Sequence, residues 1–296
     1  MVEMKETVFE KQSCVQINND LISLWVTKDI GPRILGLSFR DGENMLVVLP
    51  DAKLPVEGAE DYSLRGGHRL WYGPENPKTT YITDDQPVEV KFAGNSLEVT
   101  QPVDLLTGIQ KSWKILLDEK KALITIDHKL TNRGDEAFEL APWAVTMLGP
   151  GGIGIIPMQT DIDDEHGLLP NRQVTFWPYT EVESSHLEIK DKGICVKANM
   201  TEGALKIGSP NSIGWLAYGI KGNLFVKRVD YKKGARYLDR GASSQIYCNQ
   251  DLIELETLGP VVTLVPRDSV EHQEIWEVYP GGEWPLEINE LFSLFE

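Results

Sequence analysis

One short segment, residues 65–71, concentrates side chains that could do chemistry. It reads RGGHRLW and places two arginines, a histidine and an indole around a Gly-Gly turn. Charged and imidazole groups can bond the hydroxyls of a pyranose, and an indole can stack on its C–H face. The alternative is an ordinary tight turn whose aromatic residues enter the core and whose arginines are solvated. The density of functional side chains favours a sugar site in which Arg65, Arg69 and Trp71 bind the ligand.

A second segment places two carboxylates side by side. In the stretch 253–258, Glu254 and Glu256 alternate with the apolar Ile253 and Leu255, as in a β-strand with one polar face. Residues two apart on a strand lie about 6.6 Å apart on the same face. Two like charges at that spacing raise the pKa of at least one carboxyl, which suits general acid or base chemistry. The alternative is a hydrated pair, or two carboxylates each held by an arginine.

These segments have to be positioned by β-strands, because alternation of apolar and polar residues is the dominant pattern of the chain. Hairpins are predicted at 88–99, 113–130, 194–207 and 215–229, with turn residues such as Gly94, Gly203 and Gly222 between their strands. We find no amphipathic helix longer than about two turns. The sequence therefore predicts an all-β fold, a large antiparallel β-sandwich, with residues 1–296 as a single domain.

Composition and charge limit the partners of the protein. The 296 residues carry a formal net charge of −16 with a pI near 4.8, which disfavours nucleic acids and anionic membranes. No apolar stretch reaches the roughly 18 residues of a membrane helix, and no signal-peptide pattern opens the chain. We expect a soluble, cytoplasmic protein whose partner is a small-molecule sugar. Exposed sheet edges would allow a homodimer.

Metal and cofactor sites are not indicated. The three cysteines have no Cys-x-x-Cys spacing, and no His-x-x-x-His or His-Glu-x-x-His pair occurs. The acidic stretch 161–167 lacks the glycine at position 6 of an EF-hand loop, so we interpret it as a solvated loop. His128 lies on the apolar face of its strand and is interpreted as a core residue. The sequence therefore predicts no metal and no cofactor.

Several short motifs resemble the aldose 1-epimerase or galactose mutarotase-like superfamily, nearest its hexose-phosphate mutarotase branch. They are the Gly-Gly turn followed by WYGP at 71–74, the turn LTNRG at 130–134 leading to APW at 141–143, the strand LET at 255–257, and the turn LVPRDS at 264–269. Each motif is short, and their order along the chain carries the resemblance. The resemblance implies the galactose mutarotase-like β-sandwich, or supersandwich, and a sugar site that includes Trp143.

The resemblance also implies a mechanism. The family uses a glutamate that takes the O1 proton of an aldose and a histidine that protonates the ring oxygen, so that the ring opens and closes on either face. The glutamate corresponds to Glu256, with Glu254 beside it as a binding residue. Pro142 and Trp143 occupy the position of the family's histidine, and general acid assistance typically contributes a factor of about 10²–10⁴. His68 is the candidate acid in its place.

Three functions are consistent with these observations. The first is a carbohydrate-binding protein that interconverts the α and β anomers of an aldose or a sugar phosphate. The second is a non-catalytic carbohydrate-binding protein on the same fold, which the missing histidine favours. The third is a glycoside hydrolase or lyase, although two glutamates on one strand face do not place carboxyl groups on opposite sides of a glycosidic bond. The arginines near the Gly-Gly turn leave room for an anionic sugar.

Overall fold

The computed structural model describes residues 1–58, 60–161 and 164–281, so that Ile162 and Asp163 of the predicted acidic loop lie outside the described residues. Within these ranges the regular structure is almost entirely β-strand. In chain order the strands and the one short helix are β1 (Glu3–Phe9), β2 (Gln12–Asn18), β3 (Ile22–Thr27), β4 (Ile34–Phe39), β5 (Val48–Leu54), β6 (Tyr62–Gly66), β7 (His68–Gly73), α1 (Pro77–Thr80), β8 (Glu89–Ala93), β9 (Ser96–Thr100), β10 (Ile109–Leu117), β11 (Leu123–Asn132), β12 (Phe138–Leu148), β13 (Ile153–Pro157), β14 (Thr175–Phe176), β15 (Leu187–Lys190), β16 (Gly193–Lys197), β17 (Ala204–Ser209), β18 (Trp215–Ile220), β19 (Asn223–Val229), β20 (Ser244–Asn249), β21 (Ile253–Leu258), β22 (Val262–Leu264) and β23 (Ser269–Pro280). A 3₁₀ turn, Asp239–Gly241, precedes β20.

Two large antiparallel sheets make up the fold. In the part of the chain that the structure describes, the first sheet has eleven strands in the order β1-β2-β3-β4-β7-β12-β21-β20-β17-β14, with β22 beside β12. The second has ten strands in the order β15-β16-β13-β18-β19-β23-β11-β10-β9-β8, and β5 pairs with β6 in a separate ribbon. The all-β antiparallel sandwich predicted from the alternation is confirmed.

The core lies between the two sheets and is built by alternate residues of each strand. On β11, Ile124, Ile126 and Leu130 are fully buried together with His128, while the residues between them are partly exposed. On β21, Ile253 and Leu255 join the same cluster from the first sheet. Apolar side chains that meet across two sheets remove a large area from water, which is the main stabilisation of a sandwich.

The predicted hairpins are confirmed in three of four cases. β8 pairs with β9, β10 with β11, and β18 with β19. The hairpin predicted at 194–207 is wrong, because β16 pairs with β13 and β15 in the second sheet while β17 pairs with β20 in the first. Gly203, with a φ of +71°, lies in the connection between β16 and β17, but alternation reports only which face of a strand is buried and not which strand lies beside it.

Two further features concern the chain as a whole. Cys14, Cys195 and Cys248 are free thiols, and all three are buried. No helix within the described ranges is long and apolar enough to cross a membrane.

Candidate functional site

Five neighbouring strands of the first sheet present polar and aromatic side chains on the face that points away from the second sheet. In one register row Arg69 of β7 lies opposite Val145 of β12, which lies opposite Glu256 of β21. In the next row Met147 lies opposite Glu254. Because successive side chains of a strand point to opposite faces, these residues share the outward face with Trp71, Trp143, Tyr247 and Lys206.

A cavity of about 210 Å³ opens on this face, and we call it the outer cavity. Its lining includes Trp71, Trp143, Tyr179, Tyr247, Lys206 and Glu254. Pockets for drug-sized ligands begin at about 300 Å³, so the outer cavity suits a ligand the size of one sugar ring. Three larger hollows, of about 250, 370 and 380 Å³, lie elsewhere on the described surface, but no tryptophan lines any of them.

The aromatic wall of the outer cavity consists of two indoles in contact. The rings of Trp71 and Trp143 are 5.1 Å apart between centroids in an edge-to-face arrangement. The guanidinium of Arg69 lies 4.1 Å from the centroid of Trp71, and the ammonium of Lys206 lies 4.9 Å from the centroids of both Trp143 and Trp177. Cations in such positions are attracted by the ring faces and hold the indoles in place.

Glu256 lies beneath this wall and is completely buried. Its Oε2 accepts hydrogen bonds from Trp143 Nε1 at 2.7 Å and from Lys206 Nζ at 2.8 Å. Its Oε1 has no hydrogen-bond partner among the described residues. Burial alone would lower the pKa of Lys206, but the charge and the hydrogen bond of Glu256 together raise it above its ordinary value. The Lys206–Glu256 pair is therefore an ion pair that closes over the carboxylate.

Glu254, by contrast, lines the outer cavity. Its side chain is 11% exposed, and Oε1 accepts from Arg69 Nη2 at 3.3 Å, a long contact for a charged pair. Burial, and after it the charge of Glu256, raise the pKa of Glu254 to about 7, although Arg69 and Lys206 act in the opposite direction. Near neutral pH this carboxyl can both donate and accept a proton, which is what general acid–base chemistry requires.

The rim of the outer cavity is set by the short helix after β7. Asn76 caps α1 by accepting a hydrogen bond from the backbone N–H of Lys78, and Pro77 occupies the first turn, where its missing N–H costs nothing. The helix separates Glu75 from Tyr81, and the Tyr81 hydroxyl donates back to the Glu75 carboxylate. Both residues line the outer cavity.

Comparison with known proteins bears on the fold. No protein-family model matches the sequence, and no curated protein matches it. A galactose mutarotase-like protein from Lactobacillus casei ATCC 334 is similar in structure, with a TM-score of 0.56 and 9% identity over 90% of this chain and 100% of that one. A provisionally assigned aldose 1-epimerase from Escherichia coli K12 has a TM-score of 0.56 and 11% identity, covering 94% of this chain and 100% of that one. The chain has the galactose mutarotase-like fold.

A third similar structure is larger. A TPR-domain containing protein from Parabacteroides distasonis ATCC 8503 has a TM-score of 0.62 and 15% identity over 94% of this chain, which spans about half, 49%, of that protein's length. At identities of 9–15% these likenesses show a shared fold. The resemblance found in the short sequence motifs is thus confirmed at the level of the galactose mutarotase-like fold.

The galactose mutarotase-like fold brings together most of the residues that the sequence singled out. Trp71, Trp143 and Glu254 line the outer cavity, Arg69 packs behind Trp71, and Glu256 lies under Trp143. The alternation predicted for 253–258 is observed, with both glutamates on the outward face.

Arg65 is not part of this group. It forms an ion pair with Asp85, and the neighbouring Leu64 is the β6 residue that lines the outer cavity. Successive side chains of a strand diverge, so Arg65 points away from the position that a ligand would occupy. The structure therefore does not bring Arg65 to the candidate site.

His68 lies on the opposite face of β7 from Arg69 and Trp71, inside the sandwich. It is completely buried, with its Nδ1 2.9 Å from Thr146 Oγ1 and its Nε2 2.8 Å from His128 Nε2. A side chain on the inner face of the sheet cannot reach a sugar in the outer cavity. The role of His68 as acid, expected from its place in the Gly-Gly segment, is not compatible with this geometry.

The inner cluster, formed by His68, His128, His272, Lys227 and Glu274, is a buried hydrogen-bond network in which the Thr257 hydroxyl joins His272 to Glu274. His128 Nδ1 lies 2.8 Å from the carbonyl oxygen of His272 and must donate to it, so His128 Nε2 accepts from His68, which in turn accepts from Thr146. Burial lowers the pKa of all three histidines, that of His272 to about 3. The histidines are therefore neutral.

Part of the inner cluster has the composition of a metal site. His68, His128 and Glu274 present ligand atoms within 4.8 Å of one another. The ammonium of Lys227, however, lies 2.9 Å from Glu274, and both side chains are fully buried. Trp276 Nε1 donates to the same carboxylate at 2.9 Å. Lys227 already supplies the positive charge that Glu274 needs, and the network links the two sheets through hydrogen bonds.

Sequence reasoning missed Lys206, Tyr179 and Tyr247. Lys206 stands between the buried Leu205 and Ile207 on β17, so the alternation alone would have placed it on the outward face. What the sequence does not contain is the strand order β21-β20-β17, which brings Lys206 next to Glu256. Tyr179 lies in a loop outside the strands, where no pattern marks it.

Proposed function

We propose that this protein binds a monosaccharide in the outer cavity. The observation that carries the proposal is the pairing of two contacting indoles, Trp71 and Trp143, with the carboxyl of Glu254 in a cavity of about 210 Å³. An indole offers a flat apolar surface for the C–H face of a sugar, and a carboxyl offers hydrogen bonds to its hydroxyls. The galactose mutarotase-like fold supports the proposal, since several structures that share it are named after sugar mutarotases or epimerases.

The charges of the site favour a neutral sugar over a phosphorylated or acidic one. Arg69 is paired with Glu254, and Lys206 is paired with Glu256. Glu75 adds a further carboxylate to the lining. Both cations therefore already have a carboxylate partner, and a phosphate would meet carboxylates without gaining an unpaired cation.

A glycoside hydrolase is less well supported. Hydrolysis requires two carboxyl groups on either side of the glycosidic bond. Glu254 and Glu256 instead stand two residues apart on one face of β21, and Glu256 is closed off by Lys206 and Trp143. The arrangement favours ligands with one ring, bound or interconverted in place.

Binding can be measured by saturation-transfer NMR and calorimetry with glucose, galactose and their 6-phosphates. We expect binding of at least one neutral hexose, weaker binding of its 6-phosphate, and a loss of at least about tenfold in affinity for Trp71→Ala, because truncation of a central aromatic contact costs 1–2 kcal/mol or more. The matched control is Trp25→Phe, since Trp25 stacks on Phe9 with centroids 4.6 Å apart on β3, away from the outer cavity. Failure to bind any of these sugars, or equal loss in both variants, would contradict the proposal.

A further inference from the structure

One of the larger hollows adjoins the outer cavity. It has a volume of about 370 Å³, and we call it the adjoining hollow. Its apolar wall consists of Val56, Pro77, Tyr81, Ile82 and Leu106. Pockets for drug-sized ligands begin at about 300 Å³. The outer cavity alone, at about 210 Å³, falls short of that volume, whereas the outer cavity and the adjoining hollow together exceed it.

Two segments of the chain lead from the outer cavity into the adjoining hollow. Leu54, at the end of β5, lines the outer cavity, and Val56 lines the adjoining hollow. Glu75 and Pro77 repeat this pattern at the start of α1. The Cα atoms of residues two apart are separated by at most about 7 Å. A ligand in the outer cavity can therefore reach the adjoining hollow through a short substituent.

Tyr81 lies at the junction, because it lines both the outer cavity and the adjoining hollow. Its ring packs edge-to-face on Trp71, with 5.4 Å between the ring centroids. Val56 is buried in the same apolar cluster as Trp71 and Trp143, and Tyr81 packs against that cluster. The indole wall of the outer cavity and the apolar wall of the adjoining hollow are thus parts of one packed surface.

The far wall of the adjoining hollow is open to water. Leu106 is 70% exposed and Ile82 is half-buried. A single exposed leucine is ordinary on a protein surface, but Leu106 stands in the lining of a hollow that leads to the candidate site. An apolar group placed against Leu106 and Ile82 would remove their apolar surface from water, which favours binding.

The charges of the adjoining hollow argue against an anionic group. Its described lining has two carboxylates, Glu57 and Glu60, and one ammonium, Lys78. All three side chains are exposed, so their charged ends can stay hydrated when an apolar group fills the hollow. An anionic group would meet two carboxylates for one cation. The lining therefore suits an uncharged apolar group.

We propose that the ligand of this protein is a neutral hexose that carries an uncharged apolar substituent. The hexose ring lies in the outer cavity, and the substituent passes Tyr81 into the adjoining hollow. This inference rests on the proposed sugar binding and adds the chemical class of the complete ligand. An alkyl chain and an aryl group share the required chemistry, which is apolar contact with Val56, Ile82 and Leu106.

Calorimetry with substituted hexoses tests the proposal. The probes are the methyl, hexyl and phenyl glycosides of glucose and galactose in both anomeric configurations, together with the 6-O-methyl and 6-O-hexyl ethers. We expect at least one hexyl or phenyl derivative to bind about tenfold or more tightly than its methyl counterpart, since each buried methylene can raise affinity by about fourfold. A larger gain for the hexyl or for the phenyl group tells which of the two substituents the hollow prefers.

Leu106→Asp separates the adjoining hollow from the outer cavity. It should remove most of the gain from the hexyl or phenyl group, because it replaces an apolar wall by a charge. The affinity for the unsubstituted hexose should not change, since Leu106 is outside the lining of the outer cavity. The matched control is Leu105→Asp: Leu105 is 99% exposed, so the same charge is added one residue away in solvent and the gain should persist.

The outcomes distinguish this inference from the proposed function. Hexose binding with no gain from any hexyl or phenyl group would overturn the inference and leave sugar binding in place. A gain that survives in Leu106→Asp, or that is lost equally in Leu105→Asp, would overturn it as well. Absence of binding by every hexose and every derivative would overturn the proposed function too.

Discussion

At the scale of single residues, the candidate site depends on which carboxylates are closed off and which are open. Lys206 and Glu256 are 6% and 0% exposed in their side chains and lie 2.8 Å apart. A buried pair of this kind contributes little compared with apolar residues of the same size, but breaking it leaves one charge buried without a partner. Lys206 therefore affects stability as well as the shape of the outer cavity.

Lys206→Met should lower the free energy of unfolding by about 3–5 kcal/mol, because Glu256 is then buried without its cation. Urea unfolding of the wild type and the variant measures this difference in free energy. The double variant Lys206→Met with Glu256→Gln should lose less than the single variant, since it removes the stranded charge. Lys129→Met is the matched control: Lys129 pairs with Glu271 on the exposed surface, where ion pairs contribute little. A negligible loss for Lys206→Met would contradict the described geometry.

At the scale of elements, strand alternation decides which residues share a site. Strand alternation places Glu254 and Glu256 on one face of β21. The same rule applied to β7 separates His68 from Arg69 and Trp71, and the sequence contained that information. The Gly-Gly turn concealed it, because a segment interpreted as a turn imposes no fixed alternation on its side chains.

The start of β7 depends on Gly67, which has a φ of +71°. A Cβ atom at this position would lie 2.2 Å from the carbonyl oxygen of Ile34, a backbone atom of β4 that cannot move aside easily. Gly67→Ala should therefore cost more stability than Gly94→Ala in the β8–β9 turn, where φ is +62° but no atom lies within 4 Å.

A positive φ alone costs a non-glycine residue roughly 1–2 kcal/mol, and both variants have this cost. The difference between their free energies of unfolding, measured with urea, is therefore the cost of the steric contact at Gly67. We expect Gly67→Ala to weaken sugar binding as well, because Arg69 and Trp71 follow directly. Equal losses of stability in the two variants would contradict this view of the β4–β7 contact.

At the scale of the whole molecule, local patterns predicted the class of fold and most of the strands, whereas the sheet order had to come from the structure. The adjacent strands β16 and β17 show this, since both read as half-buried strands and yet belong to different sheets. The inner cluster also could not be predicted from local patterns, because His68, His128 and His272 come from three distant segments of the chain. Their meeting inside the sandwich follows from the packing of β7 against β11 and β23.

The inner cluster also makes stability depend on pH. Burial lowers the pKa of its three histidines, so below about pH 6.5 the unfolded chain takes up protons that the folded protein does not. The free energy of unfolding therefore decreases as the pH is lowered. Glu254 acts in the opposite sense, because its raised pKa lets the folded protein hold one extra proton. The three histidines outweigh the one carboxyl, so the slope of the free energy of unfolding against pH should be positive between pH 5 and pH 7.

Urea unfolding between pH 7 and pH 5 measures this slope. Glu254→Gln should steepen it, because the variant removes the opposing proton. Stability that does not change over this range would mean that the histidines of the inner cluster titrate normally, which their burial does not allow.

The most direct test of the central claim is a crystal structure of the protein soaked with the neutral hexose that binds best in solution. The predicted result is one sugar ring in the outer cavity, packed on Trp71 or Trp143, with a hydroxyl group hydrogen-bonded to the carboxyl of Glu254. A sugar bound in another hollow, or held in the outer cavity without contact to either indole, would contradict the account.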